Sequence, residues 1–155
     1  MTPLQKGDTA PGFTLKDQHG NTISLHDFSE KKLIIYFYPK DDTSGCTAQS
    51  CNLRDNFTEL RQLGFEVVGV SADDITSHLH FADKFQLPFS LLADTERKMI
   101  DAYHCWGEKI VDGEKTTGIL RKTYVIDEAG IIILIVTDVQ TQNHTAQLME
   151  LLGIN

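Results

Sequence analysis

Leu33-Ile-Ile-Tyr-Phe-Tyr38, stopped by Pro39 and continued as Lys40-Asp-Asp-Thr43-Ser-Gly-Cys46-Thr-Ala-Gln-Ser-Cys51, decides how this chain is read. The first part is an unbroken apolar, aromatic-rich run of strand length, the pattern of a strand buried on both faces. Pro39 ends it, because proline has no N–H to give to a strand ladder. Beyond the polar loop, Leu53, Phe57 and Leu60 recur at i, i+4 and i+7, with Arg54, Asp55, Glu59 and Arg61 between them. This spacing predicts an amphipathic helix to about Leu63, closed by Gly64. The loop from Pro39 to Cys46 then lies just past the carboxyl end of a strand, where open α/β sheets place their sites.

The same reading extends in both directions. Upstream, Phe13–Lys16 and Thr22–Leu25 alternate around Asp17–Asn21 and predict a β-hairpin, with Gly20 and Asn21 in its turn. Downstream, Phe65–Val70 is a second buried strand. Ser71-Ala-Asp-Asp74 offers N-cap residues to a helix carrying Ile75, Leu79, Ala82 and Phe85. After Pro88, Ser90–Ala93 is a short extended piece, and Asp94-Thr95 is placed to cap a short helix carrying Met99, Ile100 and Tyr103. Residues 107–118 are polar and glycine-rich and read as a surface loop. Leu120–Ile126 and Ile131–Val136 form a hairpin around Asp127-Glu-Ala-Gly130, and His144–Leu152 a closing helix with Leu148, Leu151 and Leu152 as its apolar face. The β-α-β order implies parallel strands with right-handed crossovers, and the late hairpin makes the sheet mixed. The expected fold is α/β: a thioredoxin-like sandwich, a central mixed β-sheet flanked by helices with an N-terminal β-hairpin extension, in one domain over residues 1–155.

The totals narrow the function. At 155 residues and 41% hydrophobic, the chain is long enough to bury a full core. A net charge of −8 argues against nucleic acid, which needs a Lys/Arg-rich face. No basic amphipathic stretch points to a membrane surface, and the longest apolar run, Ile131–Val136, is too short to span one. The first eight residues hold no apolar signal core. Three cysteines is too few and too odd a number for a disulfide scaffold, so a reducing, cytoplasmic compartment is expected.

Chemistry concentrates in the opening stretch. If a helix starts near Thr43–Gly45, Cys46 lies in its first turn, where unpaired N–H groups and the helix dipole favour a thiolate. Thr43, three residues earlier, brings a hydroxyl to the same space. A peroxide there needs donors to hold its oxygens in line with the sulfur, and a hydroxyl, backbone N–H groups and an arginine supply them. Cys51 is the natural resolving partner, on a condition. In an ideal helix an i, i+5 pair has Cα atoms roughly 8–9 Å apart, beyond the ~4.4–6.8 Å that a disulfide allows. Oxidation must therefore unwind the start of the helix. Read alone, Cys46 is equally well explained as a small buried hydrophobe; its partner and flanks favour function. Cys105, in Tyr103-His-Cys-Trp106, reads as core or a helix end. The spacing of Cys46 and Cys51 matches no zinc motif and no C-x2-C redox motif, and no metal or cofactor is expected. His78 and His80 fall on opposite helix faces. His19, His26, His104 and His144 read as exposed or capping, and Asp41-Asp42 as a solvated loop edge.

Tyr36-Phe-Tyr-Pro39-Lys-Asp-Asp-Thr43-Ser-Gly-Cys46-Thr47 resembles the P-x-x-x-[TS]-x-x-C signature of peroxiredoxins. Ala48-Gln-Ser-Cys51-Asn-Leu-Arg-Asp55, Gly7-Asp-Thr-Ala-Pro11-Gly-Phe-Thr-Leu15 and Gly118-Ile-Leu-Arg121-Lys-Thr-Tyr-Val-Ile-Asp127 are similar to the bacterioferritin comigratory protein, or peroxiredoxin Q, subfamily. The likeness covers almost the whole chain. It departs at Ser44, where proline is common, at Lys122 and at Cys105. The resemblance implies a thiol-dependent peroxidase, an antioxidant oxidoreductase acting on hydrogen peroxide and organic hydroperoxides. Cys46 is then the peroxidatic cysteine, passing through a sulfenic acid. Thr43 and Arg121 hold the peroxide, and Pro39 shields the sulfur from water. Cys51 closes an intramolecular Cys46–Cys51 disulfide that thioredoxin or a similar protein reduces. A monomer is implied as well. Two other readings stay open on the residues alone: a redox-sensing interaction protein using the same disulfide as a switch, and an α/β scaffold with no chemistry at Cys46.

Overall fold

The computed structural model describes residues 3–154; Met1, Thr2 and Asn155, the ends of the expected 1–155 domain, lie outside them. In chain order the elements are β1 (Thr14–Lys16), β2 (Thr22–Ser24), a 3-10 turn (Leu25–Phe28), β3 (Lys32–Phe37), α1 (Ser44–Asp55), α2 (Phe57–Gln62), β4 (Phe65–Ser71), α3 (Ile75–Phe85), β5 (Ser90–Ala93) and α4 (Lys98–Ala102). They continue as β6 (Trp106–Val111), β7 (Glu114–Ile119), β8 (Lys122–Ile126), β9 (Ile132–Val136), a second 3-10 turn (Thr141–Asn143) and α5 (His144–Leu152).

The apolar run becomes the middle of a five-stranded sheet of order β5-β4-β3-β8-β9. β4 pairs parallel with β3 and with β5, while β8 pairs antiparallel with β3 and with β9. The sheet is mixed, with helices packed on both faces. Ile34, Tyr36 and Tyr38 point to the face covered by α1, α2, α3 and α5, where they meet Leu53, Phe57, Phe81 and Leu148. Leu33, Ile35 and Phe37 point the other way, to Met99 and Ile100 of α4 and to Ala10 and Phe13 of the N-terminal arm. This two-sided burial is why β3 has no polar alternation.

The expected N-terminal hairpin forms, with Thr14 opposite Ser24. Asp17 Oδ1 accepts from the N–H groups of His19 and Asn21 and so builds the turn. Gln18 is buried and caps the free edge of β5, donating to the Phe89 carbonyl and accepting from Leu91 N–H. Asp74 caps α3 as expected, accepting from Ser77 N–H at 2.8 Å.

Three expectations need correction. The helix to Leu63 is interrupted at Asn56, whose side chain donates back to the Asn52 carbonyl at 2.8 Å. Such a local side-chain bond competes with the helix ladder. Residues 107–118 are no loop: β6 and β7 pair from Trp106↔Ile119 to Val111↔Glu114. The turn is Asp112-Gly113, both at positive φ, the conformation that a two-residue hairpin turn requires. On α5 the buried face is His144, Thr145 and Leu148, and Leu151 is exposed.

Candidate active site

The site forms where β3 ends, α1 begins and β8 starts. The antiparallel register of β3 and β8 places Phe37 opposite Lys122. Arg121, one residue before β8, is thereby carried to the loop that follows β3, although 75 residues separate it from Cys46. Cys46, the third residue of α1, is fully buried. Arg121 Nη2 donates to its Sγ at 3.2 Å. The guanidinium approaches so closely that a Cβ on Gly45 would lie 3.2 Å from Nη2. Pro39, half-buried, shares a cleft of about 410 Å3 with Ile119, Leu120, Arg121, Lys122 and Thr137. A hollow of about 550 Å3 elsewhere, between Lys16, Asp74, Asp94 and Lys98, contains no thiol.

Thr43 is the N-cap residue of α1, yet its side chain makes no capping bond to the helix. Its hydroxyl instead donates to the Lys40 carbonyl at 2.9 Å, which tightens the loop. The N–H groups of Ser44, Gly45 and Cys46 belong to a first helical turn, which has no intrahelical acceptors for them. With no cap, they remain available at the positive end of the helix dipole. The place beside Sγ therefore combines one guanidinium and an uncapped helix start, a donor set suited to an oxygen that gains negative charge, with Thr43 at the N-cap.

The resemblance implied that Pro39, Thr43, Cys46 and Arg121 share one place; Thr43 and Cys46 stand at this helix start, Arg121 reaches it, and Pro39 lines the adjoining cleft with Arg121. Cys51 lies farther along α1, half-buried, in the same unbroken helix as Cys46. Burial pushes its thiol up, with the charge of Arg54 partly opposing. All three cysteines are free. Gln49 was not singled out from the sequence. Its Oε1 accepts from Arg121 Nη1 at 2.7 Å, so the two arms of one guanidinium grip residues 46 and 49. The i, i+3 spacing that puts both on one helix face was the available signal. Ser50, at i+4, meets Tyr36 Oη at 2.8 Å beneath the helix.

Two polar residues, Asp41 and His144, are placed differently from expectation, while His78 and His80 lie on opposite helix faces as expected. Asp41 is no solvated loop edge: it is buried, its carboxylate 2.7 Å from His78 Nδ1, while Asp42 is exposed and paired with Lys84. His78 is fully buried. His144 is also buried, between Thr123 Oγ1 at 2.8 Å and Gln147 Oε1 at 2.9 Å. Burial pushes the His144 imidazole down, and the Arg121 charge adds to this against the Gln147 bond. Among the described residues, Asp41, Asp73 and His78 alone have donor atoms grouped closely enough to share a metal ion, and these atoms are engaged in hydrogen bonds with their neighbours. Cys105 is core, as expected; burial raises its thiol to about 12. Among the described residues no helix is long and apolar enough to cross a membrane.

Comparison with known proteins adds a lineage to this geometry. Residues 6–135 match the AhpC/TSA family. Peroxiredoxin Bcp of Escherichia coli is 42% identical over 144 residues, covering 93% of this chain and 92% of that one. Peroxiredoxin Q of Xylella fastidiosa, solved as a cysteine-to-serine mutant, superposes with a TM-score of 0.90 at 25% identity, covering 99% and 98% of the two chains. The bacterioferritin comigratory protein of Xanthomonas campestris, whose structures address alkyl peroxide reduction, gives 0.83 at 28% identity over 91% and 90%.

Proposed function

Because the chain belongs to the AhpC/TSA family, as a peroxiredoxin of the Bcp/Q kind, we propose that Cys46 is its peroxidatic thiol and Cys51 its resolving thiol. Peroxiredoxins are thiol peroxidases, and hydrogen peroxide and organic hydroperoxides are the substrates assigned here. The Xanthomonas relative's alkyl peroxide reduction supports the second class. One observation carries the residue assignment: the only guanidinium near Cys46 among the described contacts donates directly to its sulfur, at an uncapped helix start.

The thiolate of Cys46 attacks one oxygen of ROOH along the O–O axis. The S–O bond forms, the O–O bond breaks, and RO⁻ leaves to take up a proton as ROH. Arg121 and the first-turn N–H groups oppose the charge that builds on the two oxygens, and Thr43 orients them. Pro39 covers the cleft side and keeps bulk water from the sulfur. The sulfenic acid of Cys46 is then attacked by the sulfur of Cys51; hydroxide leaves with a proton as water, and the disulfide forms. A dithiol protein of the thioredoxin type reduces it by exchange through a mixed disulfide. Burial raises the Cys51 thiol, with the Arg54 charge opposing, so opening of the helix removes one brake on its reactivity. A reducing, cytoplasmic location fits three free thiols and such a reductant.

Mass spectrometry after one equivalent of peroxide tests the reading. The wild type should gain one Cys46–Cys51 bond, and Cys51→Ser should stop at the Cys46 sulfenic acid. Retention of peroxidase turnover by Cys46→Ser, or a product disulfide containing Cys105, contradicts the assignment.

A further inference from the structure

The loop that carries Thr43 is anchored from behind by α3, and none of the steps above uses that anchor. Asp41 sits at its centre. Its Oδ1 accepts from Tyr38 Oη at 2.6 Å; its Oδ2 accepts from Ser77 Oγ at 2.8 Å and lies 2.7 Å from His78 Nδ1. Its backbone N–H donates to Asp73 Oδ2 at 2.8 Å, and Ser71 Oγ holds the same Asp73 oxygen. His78 is fixed on its other side, with Nε2 at 2.9 Å from the Leu92 carbonyl. A carbonyl only accepts, so Nε2 carries a hydrogen and the ring is tied to β5. Asp41 and His78 are both buried, so solvent cannot substitute for the bonds they share.

Between this anchor and Cys46 runs a short link under strain. Asp42 has φ +60°, the left-handed region that a non-glycine residue occupies only where its surroundings hold it. Its own ion pair with Lys84 is exposed and contributes little. What holds it is Asp41 on one side and the Thr43–Lys40 bond on the other. The geometry of the first turn of α1 is thus coupled to the Asp41–His78 contact.

We propose that His78 is a positioning residue that, through Asp41, holds the Lys40–Thr43 loop and the first turn of α1 in the form that reacts with peroxide. By doing so it sets how readily that turn unwinds for the Cys46–Cys51 bond. The proposal rests on the two-cysteine reading above. The anchor favours reaction with peroxide and opposes resolution. While resolution waits, the Cys46 sulfenate is open to a second ROOH, which adds an oxygen to give sulfinate and releases ROH. The anchor therefore also sets the balance between cycling and over-oxidation.

Two substitutions separate this role from packing. In His78→Gln the amide nitrogen takes the place of Nε2, keeping the Leu92 bond and losing Asp41. In His78→Asn the amide nitrogen takes the place of Nδ1, keeping Asp41 and losing Leu92. Rapid-quench mass spectrometry with sulfenic-acid trapping reads the peroxide step and the disulfide step separately. For His78→Gln, loss of one buried charge-assisted bond should slow the peroxide step by about tenfold and speed disulfide formation by about tenfold. The sulfinate fraction after repeated turnover should fall. His78→Asn should stay within about threefold of wild type on both steps. Ser77→Ala, which removes one bond at the helix surface and is safe for folding, should shift both steps by about threefold in the directions of His78→Gln. The proposal is overturned if the two His78 variants behave alike, if both steps slow together, or, should they not fold, if Ser77→Ala leaves the ratio of the two rates unchanged. A wild type that forms no Cys46–Cys51 bond overturns the two-cysteine reading, and this proposal with it; a wild type that cycles with unshifted variants overturns the anchor alone.

Discussion

Replacing Arg121 by methionine tests the centre of the site. The change keeps an unbranched chain of similar length and removes the guanidinium, which donates to Cys46 Sγ at 3.2 Å and to Gln49 Oε1 at 2.7 Å. Two unit charges about 4 Å apart attract by about 4 kcal/mol at an effective dielectric near 20. Arg121 is half-exposed, so water screens part of this, and a charge-assisted hydrogen bond contributes about 1.5–3 kcal/mol. Taking about 2–3 kcal/mol for the transition state, the second-order rate constant with peroxide should fall roughly 30- to 160-fold. Stopped-flow single turnovers on Cys51→Ser, with and without Arg121→Met, isolate the peroxide step. The substitution also leaves the buried Gln49 Oε1 without its donor, which costs about 1–3 kcal/mol of stability. A thermal melt alongside separates that loss from the kinetic one. Arg121→Lys should fall between, down about tenfold, because one ammonium cannot serve both acceptors in the fork geometry. A rate for Arg121→Met within about threefold of its parent would limit the guanidinium to about 0.6 kcal/mol and refute the reasoning.

Further outcomes follow from other parts of the site. Gly45→Ala should lower the peroxide rate several-fold with little change in melting temperature, since the new methyl meets Arg121 Nη2 at 3.2 Å and displaces the donor rather than the core. Cys105 should resist alkylation at pH 8 in the folded protein and react only on denaturation, because burial raises its thiol to about 12; Cys51 should label faster than Cys105. His144 is held below its ordinary value of 6.5, chiefly by burial. Below that pH the unfolded chain takes up the proton first, so stability present at pH 7 is lost as pH falls, until the folded imidazole is itself protonated. Melts between pH 7 and 5 should show a steeper loss for wild type than for His144→Gln.

The strands of the central sheet, and the place of Cys46 at a helix start, were legible because local pattern fixes them. Two-sided burial makes β3 a continuous apolar run, and Pro39 marks its end. Arg121 was legible only through family likeness, since nothing near it in sequence records the pairing of Phe37 with Lys122 that carries it to Cys46. The Asp41–His78 contact joins residues 37 apart, and adjacent acids in a polar loop look solvated whatever lies beneath them. The β6–β7 hairpin was read as a loop because it has no buried face to impose alternation: Ile110 and Val111 are exposed. Its one local signal was Asp112-Gly113, a good two-residue turn. At Asn56 the propensity of the segment called for one helix, and a single side-chain bond to Asn52 divided it.

The chemistry assigned to α1 makes opposing demands on its two ends. Peroxide needs Cys46 held against Arg121; the disulfide needs the turns between Cys46 and Cys51 to open, since in a helix the pair stands roughly 8–9 Å apart. The hydrogen bonds divide the helix at the boundary between these demands. Through Cys51 its inward anchors are the Arg121 fork and the Ser50–Tyr36 bond. Immediately after Cys51, Asn52 is tied to α5 and the turn before it: Oδ1 accepts from Thr145 N–H at 2.7 Å, the amide donates to the Gln142 carbonyl, and Thr145 Oγ1 donates to the Asn52 carbonyl. Unwinding that runs from Ser44 to Cys51 breaks the first group and leaves the second intact. Hydrogen exchange of the oxidised protein should therefore lose protection at the amides of residues 47–55, whose helical acceptors are the carbonyls four residues earlier, and keep it in α2, where Leu60 N–H donates to the Asn56 carbonyl. Loss of protection at Leu60 and beyond would show that Asn52 does not stop the opening, and that α5 has no part in limiting it.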